Sequence, residues 1–203
     1  MIRLVLNKLF YNPYKFVKKY KNIVVADSAI LLKSCSFRFE GKEKKNKVNI
    51  GNNTMVGCNF IFESDEGEIN IGNNSYISGG TMLISRSNIS IGNNVTIAWG
   101  CTLYDHNSHS LDYHERQKDI QRQNDDYRNG RNFIASKDWS VVKLRPIIIE
   151  NNVWIGFDSV ILAGVTIGEG AIVGARSVVR ENIEPWTVVA GNPAVVIKRL
   201  RND

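Results

Sequence analysis

Residues 147–179 read IIIENN VWIGFD SVILAG VTIGEG AIVGAR SVV, and in this run an aliphatic residue returns at every sixth position. The repeated aliphatic residues are Ile149, Ile155, Ile161, Ile167, Val173 and Val179. A period of six fits neither the 3.6-residue turn of a helix nor the two-residue alternation of a long strand. Each hexad therefore predicts one short strand followed by a turn, and three hexads predict one triangular coil of a solenoid.

The six-residue phrase that opens this run, IIIENN, is one of five similar copies along the chain. The copies begin at Val48, Ile69, Ile89, Ile147 and Val165. Successive copies start 21, 20, 58 and 18 residues apart. Because three hexads span 18 residues, the third interval holds 40 extra residues, which a solenoid accommodates as a loop leaving one corner. Each copy ends in an Asn-Asn or Glu-Gly pair. These pairs suit the corners of the solenoid, since Asn and Gly tolerate positive φ angles.

These patterns predict an all-β protein with one solenoid domain. We place the solenoid over residues 48–200, with a loop inserted at about 105–145. Residues 1–47 are expected to form an N-terminal cap segment and an irregular first coil. With 203 residues and 43% hydrophobic content, the chain is long enough to bury one continuous core.

The cysteines and the apolar segments bear on the compartment. Cys35, Cys58 and Cys101 have no CxxC spacing and cannot all pair, so neither a disulfide framework nor a structural zinc site is predicted. The chain has no run of eighteen apolar residues, and its N-terminus lacks the small-residue cleavage site of a signal peptide. We therefore expect a cytoplasmic protein.

The net charge of +6 is concentrated near the N-terminus, where lysines alternate with aromatic residues. The aromatic residues of this segment are Phe10, Tyr11, Tyr14, Phe16 and Tyr20. Nucleic acid is not an expected partner, because no recognition motif accompanies the charge. Two interpretations remain open: a helical cap that closes the end of the prism, or a segment that lies against an anionic membrane as a peripheral contact.

The hexads, together with the ending VVAGNPAVVIKRL at residues 188–200, resemble the hexapeptide-repeat acyltransferases. The similarity is to the branch of maltose/galactoside O-acetyltransferases, xenobiotic acetyltransferases and bacterial polysaccharide O-acetyltransferases, and it extends over residues 48–200. It implies a left-handed parallel β-helix, a homotrimer, and acetyl-CoA held between neighbouring prisms. The implied function is acetyl-CoA-dependent O-acetylation of a sugar or polysaccharide precursor.

All three histidines lie at the start of the predicted insertion, and transfer to a hydroxyl needs a base that titrates near neutral pH. The resemblance places the base where His109 precedes Ser, Leu and Asp112, with His106 as the alternative. His114 stands in a charged stretch and is expected to be solvated. Asp112 and Asp105 could orient an imidazole, although an Asp side chain can equally cap a local turn.

The resemblance also assigns residues to acetyl-CoA. These are Trp154, Phe157, Gly174, Ala175, Arg180, Lys198 and Arg199. Phe157 and Ala175 match positions whose backbone amides bind the pantetheine arm, and the cationic side chains would bind the nucleotide phosphates. Turn glycines, external packing of an aromatic side chain and a solvated C-terminal tail are the structural alternatives.

One departure from the family concerns the acceptor. The sugar acetyltransferases have an Asn one coil before the histidine, where this chain has Gly79-Gly80. Polar groups that could replace this Asn are Asn107, Ser108, Asp112, Ser85 and Arg86. We expect the insertion to overhang the acceptor cleft and to contact the next subunit through Phe133, Ile134, Trp139 and Val141. Alternatively, it is a flexible flap that contributes only to trimer contacts.

Three alternative functions stand beside acetyl transfer to a hydroxyl. A spacing of the form DHxxH can indicate a metal, but no histidine lies on a coil, so no metal site is predicted. N-acetylation of an amino sugar nucleotide, or acetylation of an antibiotic, would differ only in the acceptor. A non-catalytic trimeric scaffold is the alternative from a different class.

Overall fold

The computed structural model describes residues 11–201, so Phe10 of the predicted cap segment lies outside the described residues. The described chain winds into a prism with three parallel sheets as its faces. In chain order each coil contributes one strand to each face. This arrangement confirms the predicted parallel β-helix.

The strands of the three faces have the following bounds. Face 1 contains β1 Ile23–Val25, β4 Lys47–Ile50, β7 Glu68–Ile71, β10 Asn88–Ile91, β13 Ile147–Ile149 and β16 Thr166–Ile167. Face 2 contains β2 Ile30–Leu31, β5 Met55–Val56, β8 Tyr76–Ile77, β11 Thr96–Ile97, β14 Trp154–Ile155, β17 Ile172–Val173, β19 Thr187–Ala190 and the antiparallel β20 Val195–Arg199. Face 3 contains β3 Ser36–Phe39, β6 Asn59–Phe62, β9 Met82–Ile84, β12 Thr102–Tyr104, β15 Val160–Leu162 and β18 Val178–Val179.

The hexad aliphatics fill the prism. On face 1, Ile91 of β10 pairs in register with Ile149 of β13, although the 40 extra residues of the insertion separate their coils in the chain. The same column continues to Ile167. All three side chains are buried. Since each inward residue packs on the equivalent residue of the next coil, the core is continuous and the insertion leaves the stack undisturbed.

Stacked asparagines form the corner between faces 1 and 2. Asn53, Asn74, Asn94 and Asn152 have φ angles of 54° to 62°, in the left-handed region that Asn tolerates. The side chain of Asn73 accepts a hydrogen bond of 2.7 Å from the amide of Asn52 on the previous coil. These contacts repeat from coil to coil and fix the turn after each phrase.

The N-terminal part of the described chain packs on the first coil. Helix α1 (Pro13–Val17) begins after Asn12, whose side chain accepts from the amide of Lys15. Phe16 stacks on Phe37 of β3 at 5.5 Å between ring centroids. The lysines around this helix are exposed to solvent. Within residues 11–201 no helix has the length and apolar character needed to cross a membrane.

The insertion contains a helix that the sequence did not predict. Helix α2 runs from Tyr113 to Arg128, and a short 3-10 helix follows at Trp139–Val141. The only buried side chains of α2 are Asp119 and Asp126, so the helix has no apolar stripe that would have revealed it. Asp126 instead holds the returning chain, because it accepts from Arg131 and from Ser136.

Candidate active site

A two-stranded neck joins the insertion to the prism just after β12. His106 forms an antiparallel bridge with Leu144. The amide of Asn107 donates to Lys143 O at 3.1 Å, and the amide of Arg145 donates to Asp105 O at 2.9 Å. This backbone pairing holds the start of the predicted catalytic segment beside face 3.

His106 is buried within this neck. Its ring meets Tyr104 edge-on at 4.5 Å and Trp139 at 5.8 Å between centroids. Its Nδ1 accepts from the amide of Ser108 at 3.2 Å, so the ring hydrogen is on Nε2, which faces Glu63 at 3.5 Å. Burial, with smaller effects from Arg86 and Lys137, lowers the pKa of His106 to about 3. The imidazole is therefore neutral and has no free lone pair for a substrate proton.

This environment predicts a pH-dependent contribution of His106 to stability. Below its unfolded pKa of 6.5, the unfolded chain binds a proton that the folded chain excludes until the pH approaches about 3. Stability contributed by neutral His106 is thus present above pH 6.5 and is lost as the pH falls. Between about pH 7 and about pH 5, we expect the unfolding free energy of the wild type to fall by about 1–2 kcal/mol more than that of His106→Gln. Urea unfolding of both proteins at the two pH values measures this, and equal pH dependence would contradict it.

His109 has a different environment, because its side chain is 46% exposed. Nδ1 lies 2.7 Å from Asp119 Oδ2 in helix α2 and 3.4 Å from Lys137 Nζ. The carboxylate can only accept and is the nearer group, so Nδ1 carries the hydrogen and Nε2 keeps a free lone pair. Lys137 Nζ also donates to Asp119 Oδ2, and its side chain is almost fully buried. The three side chains form one hydrogen-bonded group, here called the His109 group.

The two aspartates that the sequence offered as orienting acids have other contacts. Asp112 is the N-cap of α2, where it accepts from the amide of His114 at 2.9 Å. Asp105 is buried and accepts from Ser85 Oγ and from the amides of Arg86 and Ser87. Burial raises the pKa of Asp105, while these hydrogen bonds act in the opposite direction. Both carboxylates thus hold backbone in place.

Four of the seven residues assigned to acetyl-CoA line one apolar groove of about 540 Å³ on face 2. They are Trp154, Phe157, Gly174 and Ala175. Within the described residues, the amides of Phe157 and Ala175 have no backbone acceptor. The amide of Gly174 is used in the coil, where it donates to Val189 O at 2.8 Å, and a Cβ at this position would contact Ala190. The groove thus offers two free amides beside exposed aromatic side chains.

The other three assigned residues lie toward the C-terminal end of the prism. Arg180 follows β18 and lines a cavity of about 280 Å³ together with Arg199. Arg180 also lines a cavity of about 250 Å³ with His106, Lys143 and Arg145. Lys198 lies on β20 and is exposed. These three residues, here called the cationic end, do not line the apolar groove, and Glu181 lies 3.7 Å from the Arg180 guanidinium.

The structure does not bring all the predicted residues together within one chain. The His109 group lies in the insertion beyond face 3, whereas Trp154 and Phe157 line the groove on face 2. Asp119 and Lys137 were missed from the sequence, because their contact with His109 depends on how the insertion folds. Within residues 11–201 no group of three His, Cys, Asp or Glu side chains could hold a metal ion.

The cysteines offer no nucleophile. All three are buried and free. Cys101, on the coil that precedes the histidines, donates to Gly156 O at 3.2 Å. Burial raises the pKa of its thiol, which keeps the sulfur in its unreactive protonated form.

Known proteins match both the repeat and the whole fold. A family model described as bacterial transferase hexapeptide (six repeats) matches residues 146–181. The galactoside O-acetyltransferase of Escherichia coli is 32% identical over 155 residues, which are 76% of this chain and 65% of that protein. A chloramphenicol acetyltransferase of Agrobacterium fabrum is 43% identical over 56 residues, 28% of this chain and 27% of that protein. The chain therefore spans less than two thirds of these curated relatives.

Two solved structures extend the comparison. A hexapeptide-repeat acetyltransferase from Vibrio cholerae, complexed with acetyl coenzyme A, is 30% identical with a TM-score of 0.59, covering 81% of this chain and 73% of its own. The other is AntD, an N-acyltransferase from Bacillus cereus in complex with dTDP and 3-hydroxybutyryl-CoA. It is 21% identical with a TM-score of 0.67, and the match covers 95% of this chain and 90% of AntD. The second likeness is one of fold alone.

Proposed function

Because this chain belongs to the hexapeptide-repeat acetyltransferases, we propose that it transfers an acetyl group from acetyl-CoA to a hydroxyl of a sugar or polysaccharide precursor. His109 is the general base. The observation that carries this choice is the 2.7 Å contact between His109 Nδ1 and Asp119, which leaves Nε2 free on a half-exposed ring. His106 is the weaker candidate, since it is buried and its Nδ1 is already an acceptor.

The reaction follows from this arrangement. Nε2 of His109 takes the proton of the acceptor hydroxyl as the oxygen attacks the carbonyl carbon of the thioester. The tetrahedral intermediate collapses with cleavage of the carbon–sulfur bond, and the imidazolium returns its proton to the departing CoA thiolate. Asp119 holds the imidazole in the required tautomer and stabilises the imidazolium while it exists. No covalent acyl-enzyme is needed.

Acetyl-CoA occupies the groove on face 2 in this proposal. The free amides of Phe157 and Ala175 bind the pantetheine arm, and Arg180, Lys198 and Arg199 bind the nucleotide phosphates. Within one folded chain the His109 group lies away from this groove. A neighbouring copy of the chain therefore supplies the base. Exposed aromatics on face 2, with Trp99 65% and Trp154 52% exposed, support burial against that copy. The family resemblance implies a homotrimer, and we propose that the sites lie between its subunits.

The cationic end gives a testable prediction. Arg180→Met is expected to weaken acetyl-CoA binding about three- to tenfold, because a largely exposed cation that binds a phosphate contributes modestly. Calorimetric titration measures the change. Acetyl-pantetheine lacks the nucleotide phosphates, so its affinity should be unaltered, and Arg128→Met at the end of α2 should bind acetyl-CoA like the wild type. Equal loss of affinity for both thioesters would place Arg180 outside the phosphate site.

The acceptor assignment has its own test. The galactoside O-acetyltransferase, aligned over 76% of this chain, supports a sugar hydroxyl as the acceptor. The protein is incubated with acetyl-CoA and a panel of sugars, amino sugars and antibiotics, and products are identified by mass spectrometry before and after mild alkali. An O-acetyl ester is cleaved by alkali, whereas an amide persists and would establish N-acetylation. Failure to bind acetyl-CoA at all would favour the scaffold function.

A further inference from the structure

A cavity of about 660 Å³ lies between the insertion and the corner that follows face 3. Its roof is insertion residues 131–139, and its floor is formed by residues 40–42, 63–66 and Arg86. The roof is anchored at two places. Asn132 donates to the carboxylate of Glu40, and the Trp139 ring packs on the Arg86 guanidinium at 4.2 Å from the centroid. The cavity is therefore held by contacts within one chain.

The charges of the lining cancel. The cations are Lys42, Arg86, Arg131 and Lys137, and the anions are Glu40, Glu63, Asp65 and Glu66. Arg86 pairs with Glu66 at 2.9 Å, and Arg131 and Lys137 pair with carboxylates of α2. A phosphate group would gain no net attraction here, in contrast to the cavity that Arg180 lines with Lys143 and Arg145. Carboxylate, amide and ammonium groups at close spacing instead suit the alternating donors and acceptors of a polyol.

One of the lining residues, Arg86, also carries a buried donor without a partner in the described part of the chain. The Arg86 side chain is 3% exposed, its Nε donates to Ser64 and its Nη2 donates to Glu66. Nη1 is buried and has no hydrogen-bond partner within the described residues. A buried donor left without an acceptor costs free energy, and a hydroxyl or ring oxygen of a ligand would satisfy it.

We propose that this cavity binds an uncharged saccharide portion of the acceptor, at a distance from the hydroxyl that reacts. The inference rests on the proposed acetyl transfer and names the acceptor class more narrowly. Lys137 links the two places, since it lines the cavity and also bonds to Asp119 in the His109 group. The volume lies within the range of about 300–1,000 Å³ that is usual for small-molecule sites. The insertion thereby selects the acceptor as well as positioning the base.

Calorimetry on the full chain tests the cavity with defined probes. The neutral probes are methyl α-glucoside, methyl β-galactoside, N-acetylglucosamine, maltose and lactose, and glucose 1-phosphate is the charged probe. We expect saturable binding of at least one neutral probe, weakened at least tenfold by Ala135→Trp, which fills the cavity from its roof. Gln121→Trp, on the exposed surface of α2, should bind like the wild type. Arg86→Lys retains the charge, removes Nη1 and should also weaken binding.

Several results would overturn the inference. These are no saturable binding of any neutral probe, unchanged affinity in both Ala135→Trp and Arg86→Lys, and binding of glucose 1-phosphate at least tenfold tighter than that of every neutral probe. Acetyl-CoA is titrated into every variant as a control for folding. Saccharide binding without acetyl-CoA binding would refute the proposed transfer and leave the cavity assignment standing. Acetyl-CoA binding without saccharide binding would refute the cavity assignment and leave the proposed transfer standing.

Discussion

Replacement of His109 by Ala is expected to lower kcat by about 10²- to 10⁴-fold, the usual contribution of a general base. Without the imidazole, the attacking hydroxyl must lose its proton to water. The affinity for acetyl-CoA should be unchanged, because in this proposal His109 acts on the acceptor hydroxyl while the groove on face 2 and the cationic side chains bind the donor. Release of the CoA thiol with a saturating acceptor measures kcat, and calorimetry measures the affinity.

The other two histidines provide the controls. His114→Ala, at an exposed position of α2, should retain the wild-type kcat. His106→Gln should retain measurable turnover, with its main effect on stability. Full activity in His109→Ala, together with loss of turnover in folded His106→Gln, would move the base to His106.

The prism could be predicted from the sequence because its packing is periodic. Each inward aliphatic, such as Ile91, contacts the equivalent residue of the next coil, so a contact that is distant in the chain still appears as a local period of six. The corner asparagines were predictable for the same reason, since each turn repeats the same positive φ. Forty extra residues revealed the insertion by interrupting that period.

The insertion itself could not be predicted in this way. Helix α2 buries two aspartates and exposes Ile120 and Tyr127, so its sequence has no apolar period. Its order comes from ion pairs and caps, such as Arg131 with Asp126 at 2.8 Å. Asp119 meets His109 only after the helix forms and turns toward the neck. The family resemblance proposes the histidine from its local sequence and leaves its carboxylate partner unidentified.

Replacement of Asp119 by Asn is expected to lower kcat by about two to four orders of magnitude, nearly as much as loss of His109. Lys137 donates a hydrogen bond to Asp119, and in the variant it would donate to the amide oxygen of the introduced asparagine. The amide NH₂ group would then face Nδ1 of His109 and donate to it, which leaves the ring hydrogen on Nε2. An imidazole with that tautomer cannot accept a proton from the acceptor hydroxyl. Steady-state kinetics measure the loss, and Asp125→Asn on the exposed side of α2 is the matched control.

The split between kcat and donor affinity distinguishes this role from a structural one. The Asp119 carboxylate contacts His109 Nδ1 at 2.7 Å and acts on the base, whereas the groove on face 2 binds the donor in this proposal. In folded Asp119→Asn, kcat should therefore fall while the affinity for acetyl-CoA, measured by calorimetry, stays that of the wild type. A loss of structure would lower both. Retention of kcat within about threefold in folded Asp119→Asn would remove the carboxylate from the mechanism, because an orienting acid contributes far more.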